Sequence, residues 1–322
     1  MSFASPLCLS FPSRPEGPYF RCARARIPPG VRVRFLALLV AAWVTGSPLQ
    51  EPRTEVAAAP LGHEIVVVGG FLASGGNSNR VDAYDTRRDR WRRLPDLPVS
   101  VDHAAAASAS GRVYVVGGYG ADREPLRAAF VLSGQGWRRL PAPPEPRAAA
   151  AAAITSPGRL HVVGGRDSTG LARRMLVLDL RTLRWRTAPG PTPREHLAAT
   201  ALGGVVYAIG GRSAGYDTNV GTVEAYTGGR WSARPPLPDA RGGTGAAAVS
   251  GRIVSAGGEA PGGTIATVYA YDPGTRRWTP LPDLPTPRHG LGVVGLGGRV
   301  WVLAGGPAPG LTVSGAVESL KP

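Results

Sequence analysis

Cysteine, lysine and methionine are nearly absent from this chain of 322 residues. Both cysteines, Cys8 and Cys22, fall near the start, so disulfide and thiolate chemistry are excluded from everything after residue 22. The five histidines, His63, His103, His161, His196 and His289, stand at none of the short spacings that mark a local metal motif. The expectation is therefore no metal, no cofactor and no catalytic residue set. Acidic residues are outnumbered, 22 against 37 Lys plus Arg, a formal net charge of +15. That balance points towards nucleic acid only if basic residues gather on a helix or among aromatics. They do not, and arginine replaces lysine everywhere except Lys321, so no nucleic-acid partner is expected. Long apolar runs are missing too. Phe35 to Thr45 spans 11 residues, short of the roughly 20 that cross a bilayer, so no stable membrane span is expected.

Glycine (45) and proline (32) are abundant, and their placement is periodic. Gly-Gly doublets stand at 69-70, 117-118, 164-165, 210-211, 257-258 and 305-306, spaced by 46 to 48 residues. A tryptophan follows each of the first five (Trp91, Trp137, Trp185, Trp231, Trp278), then a Pro-rich exit, then Arg147, Arg194, Arg241 or Arg288, with Val101 in the first copy. A period of this length is the mark of a repeat architecture. Each unit holds four short apolar runs separated by turn residues, as in Arg241 to Arg288, which predicts four antiparallel strands.

The stretches VVVGG with VDAYD and Trp91, AIGG with VEAY and Trp231, and SAGG with VYAYD and Trp278 resemble the kelch repeat over roughly residues 43 to 320. The resemblance implies an all-β fold, a six-bladed kelch β-propeller of four-stranded antiparallel blades. With its apolar leader the chain is similar to the exported bacterial type. The cysteine-free body lacks the crosslinked Cys that the copper radical site of kelch-type oxidases requires.

The sixth copy ends before its tryptophan. Trp43 to Arg53 repeats the spacing of Trp278 to Arg288, so Trp43 to Gly46 is predicted to supply the last blade's fourth strand, removing an open edge. Two regions follow: a leader, residues 1 to 42, and the propeller, residues 43 to 322. In the leader, Phe35 to Ala42 behind Arg32 and Arg34 reads as a secretory signal cleaved after Val40-Ala41-Ala42, giving a secreted, periplasmic or cell-surface protein. A monomer is expected.

In a four-stranded antiparallel blade the second-to-third and fourth-to-first connections emerge on one face, and here they are the longer ones, so that face is the candidate binding surface. Its expected ligand-binding residues are a ring of Arg53, Arg147, Arg194, Arg241 and Arg288, with Arg166, Arg212, Tyr119, Tyr216 and Glu259 from neighbouring loops. An arginine ring suits carboxylate or phosphate groups; the alternative is that each Arg pairs with a nearby acid or carbonyl and pins its loop. The function expected is binding of a protein or glycan ligand, with an anionic group among the candidates. A sugar-acting enzyme resembling the sialic-acid mutarotases, with Glu259 as general acid-base, and an intracellular docking propeller are the alternatives.

Overall fold

The computed structural model describes residues 42–134, 136–156 and 158–322; the leader's signal reading lies outside them. Six four-stranded antiparallel sheets are arranged around one axis. The first runs from the inside outward as Ala57–Leu61, Glu64–Val68, Val81–Asp85 and Arg90–Arg93. The innermost strands of blades two to six are Ala105–Ala109, Ala151–Thr155, Ala198–Leu202, Gly245–Val249 and Gly292–Leu296.

Alanine-rich segments favour helix on intrinsic propensity, and here they form strands because six inner strands converge on the axis and leave room only for small side chains. Ala58, Ala106, Ala152, Ala199, Ala246 and Val293 line the resulting channel. The second strands are β-branched runs such as Ile65 to Val68, buried on both faces because a neighbouring blade covers each side. Between the first two blades, Val66, Val68, Val81 and Leu97 meet Val113, Val115 and Phe130. Each such side chain contributes about 1.5–3 kcal/mol on burial.

The closing strand is present. Val44–Gly46 pairs antiparallel with Val317–Leu320 in the register Val44 to Ser319 and Gly46 to Val317, completing a sixth sheet whose inner strands come from the other end of the sequence. Trp43 behaves as the sixth repeat tryptophan. Its indole N–H donates to the Pro282 carbonyl of the preceding blade at 2.8 Å, as Trp137 does to Pro95, Trp185 to Pro141, Trp231 to Pro189 and Trp278 to Pro235, while Trp91 donates to Ser47 across the closure. The wedge between outer strands is thus filled by an indole whose single donor is satisfied.

The glycine doublets sit where one blade's second strand meets the next blade. A Cβ on Gly117 would lie 1.9 Å from the Arg147 carbonyl oxygen, so no larger residue fits. The second glycine's N–H donates across the interface, Gly118 to Arg147 and Gly258 to Arg288, both at 2.8 Å. In the sixth copy the N–H donating to Arg53 belongs to Gly305, and Ala304 holds the left-handed φ of 57° that glycine holds elsewhere. The structural doublet there is Ala304-Gly305, one residue earlier than the Gly-Gly letters suggest.

Candidate binding face and axial cluster

The long connections share one face. Fourth-to-first and second-to-third loops pair residue by residue, Thr54 with Phe71, Asp102 with Tyr119, Ala148 with Arg166, Glu195 with Arg212, Gly242 with Glu259 and His289 with Gly306.

The five arginines expected to ring a pocket are not open to one. Arg53, Arg147, Arg194, Arg241 and Arg288 are at most 2 % exposed, and each spends its guanidinium on the protein. Arg288 donates to the carbonyls of Ala304 (2.8 Å) and Thr286 (2.8 Å) and to the Glu318 carboxylate (2.7 Å). Arg53 reaches Asp82, Arg147 reaches Glu145 and the carbonyls of Gly164 and Arg174, Arg194 reaches Glu224, and Arg241 reaches Asp239 and the Thr267 carbonyl. Burial lowers the pKa of all five, and the paired carboxylates oppose it. The geometry is that of loop pins, the alternative named above.

Two residues after each arginine position the chain turns to the axis. Glu55, His103, Ala149, His196, Gly243 and Gly290 all have φ between 49° and 63°, the left-handed region. Their amides form a closed ring: His103 N–H donates to Glu55, Ala149 to His103, His196 to Ala149, Gly243 to His196 and Gly290 to Gly243, and Val56 N–H completes it on Gly290, at 2.9–3.2 Å. This kink separates the buried arginine from the axial residue.

The ring carries a polar cluster. His103 Nε2 lies 2.9 Å from His196 Nε2 and 3.2 Å from Glu55 Oε2, while the other Glu55 oxygen meets His289 Nδ1 at 3.1 Å. His103 Nδ1 is hydrogen-bonded to Asp102, whose second oxygen accepts from Arg123 at 2.8 Å. His196 Nδ1 faces Glu195 Oε1 at 3.3 Å. Burial alone would raise the Glu55 pKa, but His103, His289 and His196 hold it well below the usual carboxylate range. Burial pulls His103 down, and Glu55 and Asp102 outweigh it, leaving the group raised. The His196 pKa is lowered, chiefly by burial.

Above this cluster opens a cavity of about 220 Å³ lined by Phe71, Tyr216, Leu311, Arg212, Glu259, His289 and the cluster itself. It unites three of the expected residues. Arg212 donates to Glu259 at 2.7 Å and lies over the Tyr216 ring at 5.2 Å. Glu259 is buried, with Oε2 lacking a hydrogen-bond partner. Tyr119 stands beside it under Arg123, which also covers Phe71, and Arg166 is half-exposed, 3.6 Å from Glu195. Glu55, His103 and His196 were missed as a unit by sequence reasoning. The readable signal was their common place in the repeat, because the short spacings of local metal motifs do not apply when partners sit one or two repeats apart. Among the described residues no helix is long and apolar enough to cross a membrane.

Six four-stranded antiparallel blades, closed by a strand from the other end of the sequence, define a β-propeller. The particular family follows from comparison: the model described as the KLHDC2/KLHL20/DRC7 Kelch-repeats domain matches residues 40–211, and the Kelch motif matches residues 240–285. The first match alone covers over half the chain, which belongs to the kelch-repeat family. It is similar to Kelch-like protein terF of Aspergillus terreus (31% identical over 222 residues, 62% of this chain and 48% of that protein). It is also similar to Kelch-like protein 40 of Mus musculus (30% over 174 residues, 52% and 28%) and Kelch-like protein 41a of Danio rerio (27% over 173 residues, 52% and 29%). The chain thus spans about half, or less, of the relatives it matches.

Proposed function

We propose that this propeller is a binding module that takes a protein partner on its long-loop face, with one apolar side chain of the partner seated in the axial cavity. The observation that carries this is the distribution of exposed apolar groups. Among the described residues the large exposed hydrophobics are Val44, Tyr216 and Leu311, and two of these three flank the same cavity. Apolar anchors around a concavity, edged by arginines, are the composition of a protein-binding hot spot. The half-exposed Arg123 and Arg166 give an acidic residue of the partner a place to pair.

Selection of a displayed peptide library on the full chain tests this. Selected peptides should lose tenfold or more in affinity on Tyr216→Ala with Leu311→Ala, at an unchanged melting temperature. Glycan-array binding that is lost on the same substitutions, with no peptide selected, would replace protein by glycan as the ligand.

Export belongs to the same proposal and rests on the apolar run Phe35 to Ala42 behind Arg32 and Arg34. Amino-terminal sequencing of the exported protein should begin at Trp43. A cytoplasmic protein with its leader intact would overturn it.

A further inference from the structure

We propose that Glu55, His103 and His196 form a binding site for a divalent transition-metal ion, zinc above all, at the centre of the ring. The two histidine Nε2 atoms and a carboxylate oxygen of Glu55 lie within 4.8 Å of one another. The His103 Nε2 contacts of 2.9 and 3.2 Å are close to the roughly 3.3 Å edge of a tetrahedron with ligand bonds of about 2.0–2.1 Å.

The protonation logic argues for a cation. His103 Nδ1 meets the Asp102 carboxylate and His196 Nδ1 faces that of Glu195. A carboxylate accepts and does not donate, so Asp102 places the His103 proton on Nδ1; Glu195, 3.3 Å from His196 Nδ1 but outside hydrogen-bond geometry, favours the same tautomer there, and both Nε2 atoms then turn inward. With both rings neutral, two lone pairs and a carboxylate oxygen converge on one region without a donor between them, whereas a proton on His103 Nε2 would supply one. That is an arrangement a metal ion resolves, and a carboxylate behind each ligating histidine is how protein metal sites fix ring orientation and raise ligand basicity. Two imidazoles and one carboxylate suit zinc and its first-row neighbours rather than calcium or magnesium.

The scaffold is rigid. All three ligands stand on equivalent left-handed kinks, tied to each other by the amide ring: His103 N–H donates to the Glu55 carbonyl, and Ala149 links His103 to His196. Three protein ligands leave one coordination position, and the same three residues line the cavity of the loop face, so that position opens towards it. The inference concerns the ion and does not rest on the protein-binding proposal.

Titration of the chelator-treated full chain with zinc chloride, followed by calorimetry, tests it, with cobalt(II) absorption as the structural readout. One equivalent should bind, cobalt should show the intense visible bands of a four- or five-coordinate site, and His103→Gln or His196→Gln should abolish both. Glu195→Gln should weaken zinc about tenfold through the ring it orients. His63→Ala should change nothing, which separates this site from the group of His63, Glu64 and Asp85. Failure of the folded wild-type chain to bind zinc would overturn the proposal and leave a shared proton between the imidazoles. Binding that survives both histidine substitutions would overturn the assignment. If those variants do not fold, the cobalt spectrum of the wild-type chain decides, and a six-coordinate, weakly absorbing ion would count against the site.

Discussion

Two positions of the repeat, only two residues apart, differ in character. The first reads Arg53, Val101, Arg147, Arg194, Arg241 and Arg288, nearly one residue type, buried throughout. The second reads Glu55, His103, Ala149, His196, Gly243 and Gly290, mixed in size and charge and gathered at the axis. The uniform position does the same work in five of the six copies, a guanidinium tying loop carbonyls and a carboxylate together, and a common job goes with a common residue; Val101 fills the position in the remaining copy. The varied position shares only a backbone conformation. Once the amide ring is made, its side chains are free to differ, and there a propeller built from near-identical parts acquires a chemically particular centre. Departure from the repeat, more than the repeat, locates the candidate site.

The harshest test of the uniform side is to remove its most remote contact. Starting the chain at Ser47 instead of Ala42 takes away Trp43 with its bond to Pro282 and exposes the Val317–Leu320 edge. The shorter protein should lose cooperative melting or aggregate; equal melting of the two would break the view that the closing strand is an equal member.

A single pin comes next. Arg288→Ala leaves the buried Glu318 carboxylate without its cation and should cost about 3–5 kcal/mol in a urea titration. Arg123→Ala removes a side chain that is 52 % exposed from a carboxylate, Asp102, that keeps its His103 contact, and should cost less, about 1 kcal/mol. Similar losses for the two would erase the distinction between pins and face.

A smaller effect sharpens the comparison, because a varied position need not be functional. His161 is 3 % exposed within blade three, hydrogen-bonded through Nε2 to Thr155 Oγ1 at 2.9 Å. Burial, aided by Arg186 and Arg159, lowers its pKa to about 4. The unfolded chain binds its proton near pH 6.5 and the folded chain does not, so this contribution is complete above that pH. It drains as pH falls towards 4, by about 3 kcal/mol in all. Chemical denaturation at pH 7, 5.5 and 4 should show the loss, and His161→Gln should flatten that part of the profile.

The smallest effect concerns register. Ala304→Gly relieves a left-handed alanine and should stabilise by about 0.5 kcal/mol, the relief being partly offset by added freedom in the unfolded chain. A destabilised variant would mean that the Ala304 methyl group matters more than its backbone.

The fold was legible because a propeller writes its period in residues with few substitutes: glycine pairs where neighbouring backbone crowds in, and an indole in each wedge. Trp43 could be assigned from spacing alone. The loop hairpins Arg166–Asp167 with Gly170–Leu171 and Glu259–Ala260 with Gly263–Thr264 were not legible, since two-residue strands carry no pattern. The site was legible in place but not in depth. Spacing located the loop face and put the arginines there, yet whether a side chain points to the axis or back between blades depends on the kink at the following positions, and nothing in the letters of Glu55, Ala149 or His196 announces a left-handed φ. The histidines were seen to recur, but partners 48 or 93 residues apart become neighbours only when the ring closes.

Closure also sets a clock. Val44 and its partner Ser319 are 275 residues apart, so at a synthesis rate of about 5–20 residues per second the first strand waits roughly 14–55 s for its mate to be made. Blades are added one by one during that interval, and near its end five stand with two unpaired flanks; the wait is far longer than a hairpin needs to form. The nascent protein therefore passes through a prolonged open-ring stage, in which chaperone capture or pairing with another nascent copy competes with its own completion.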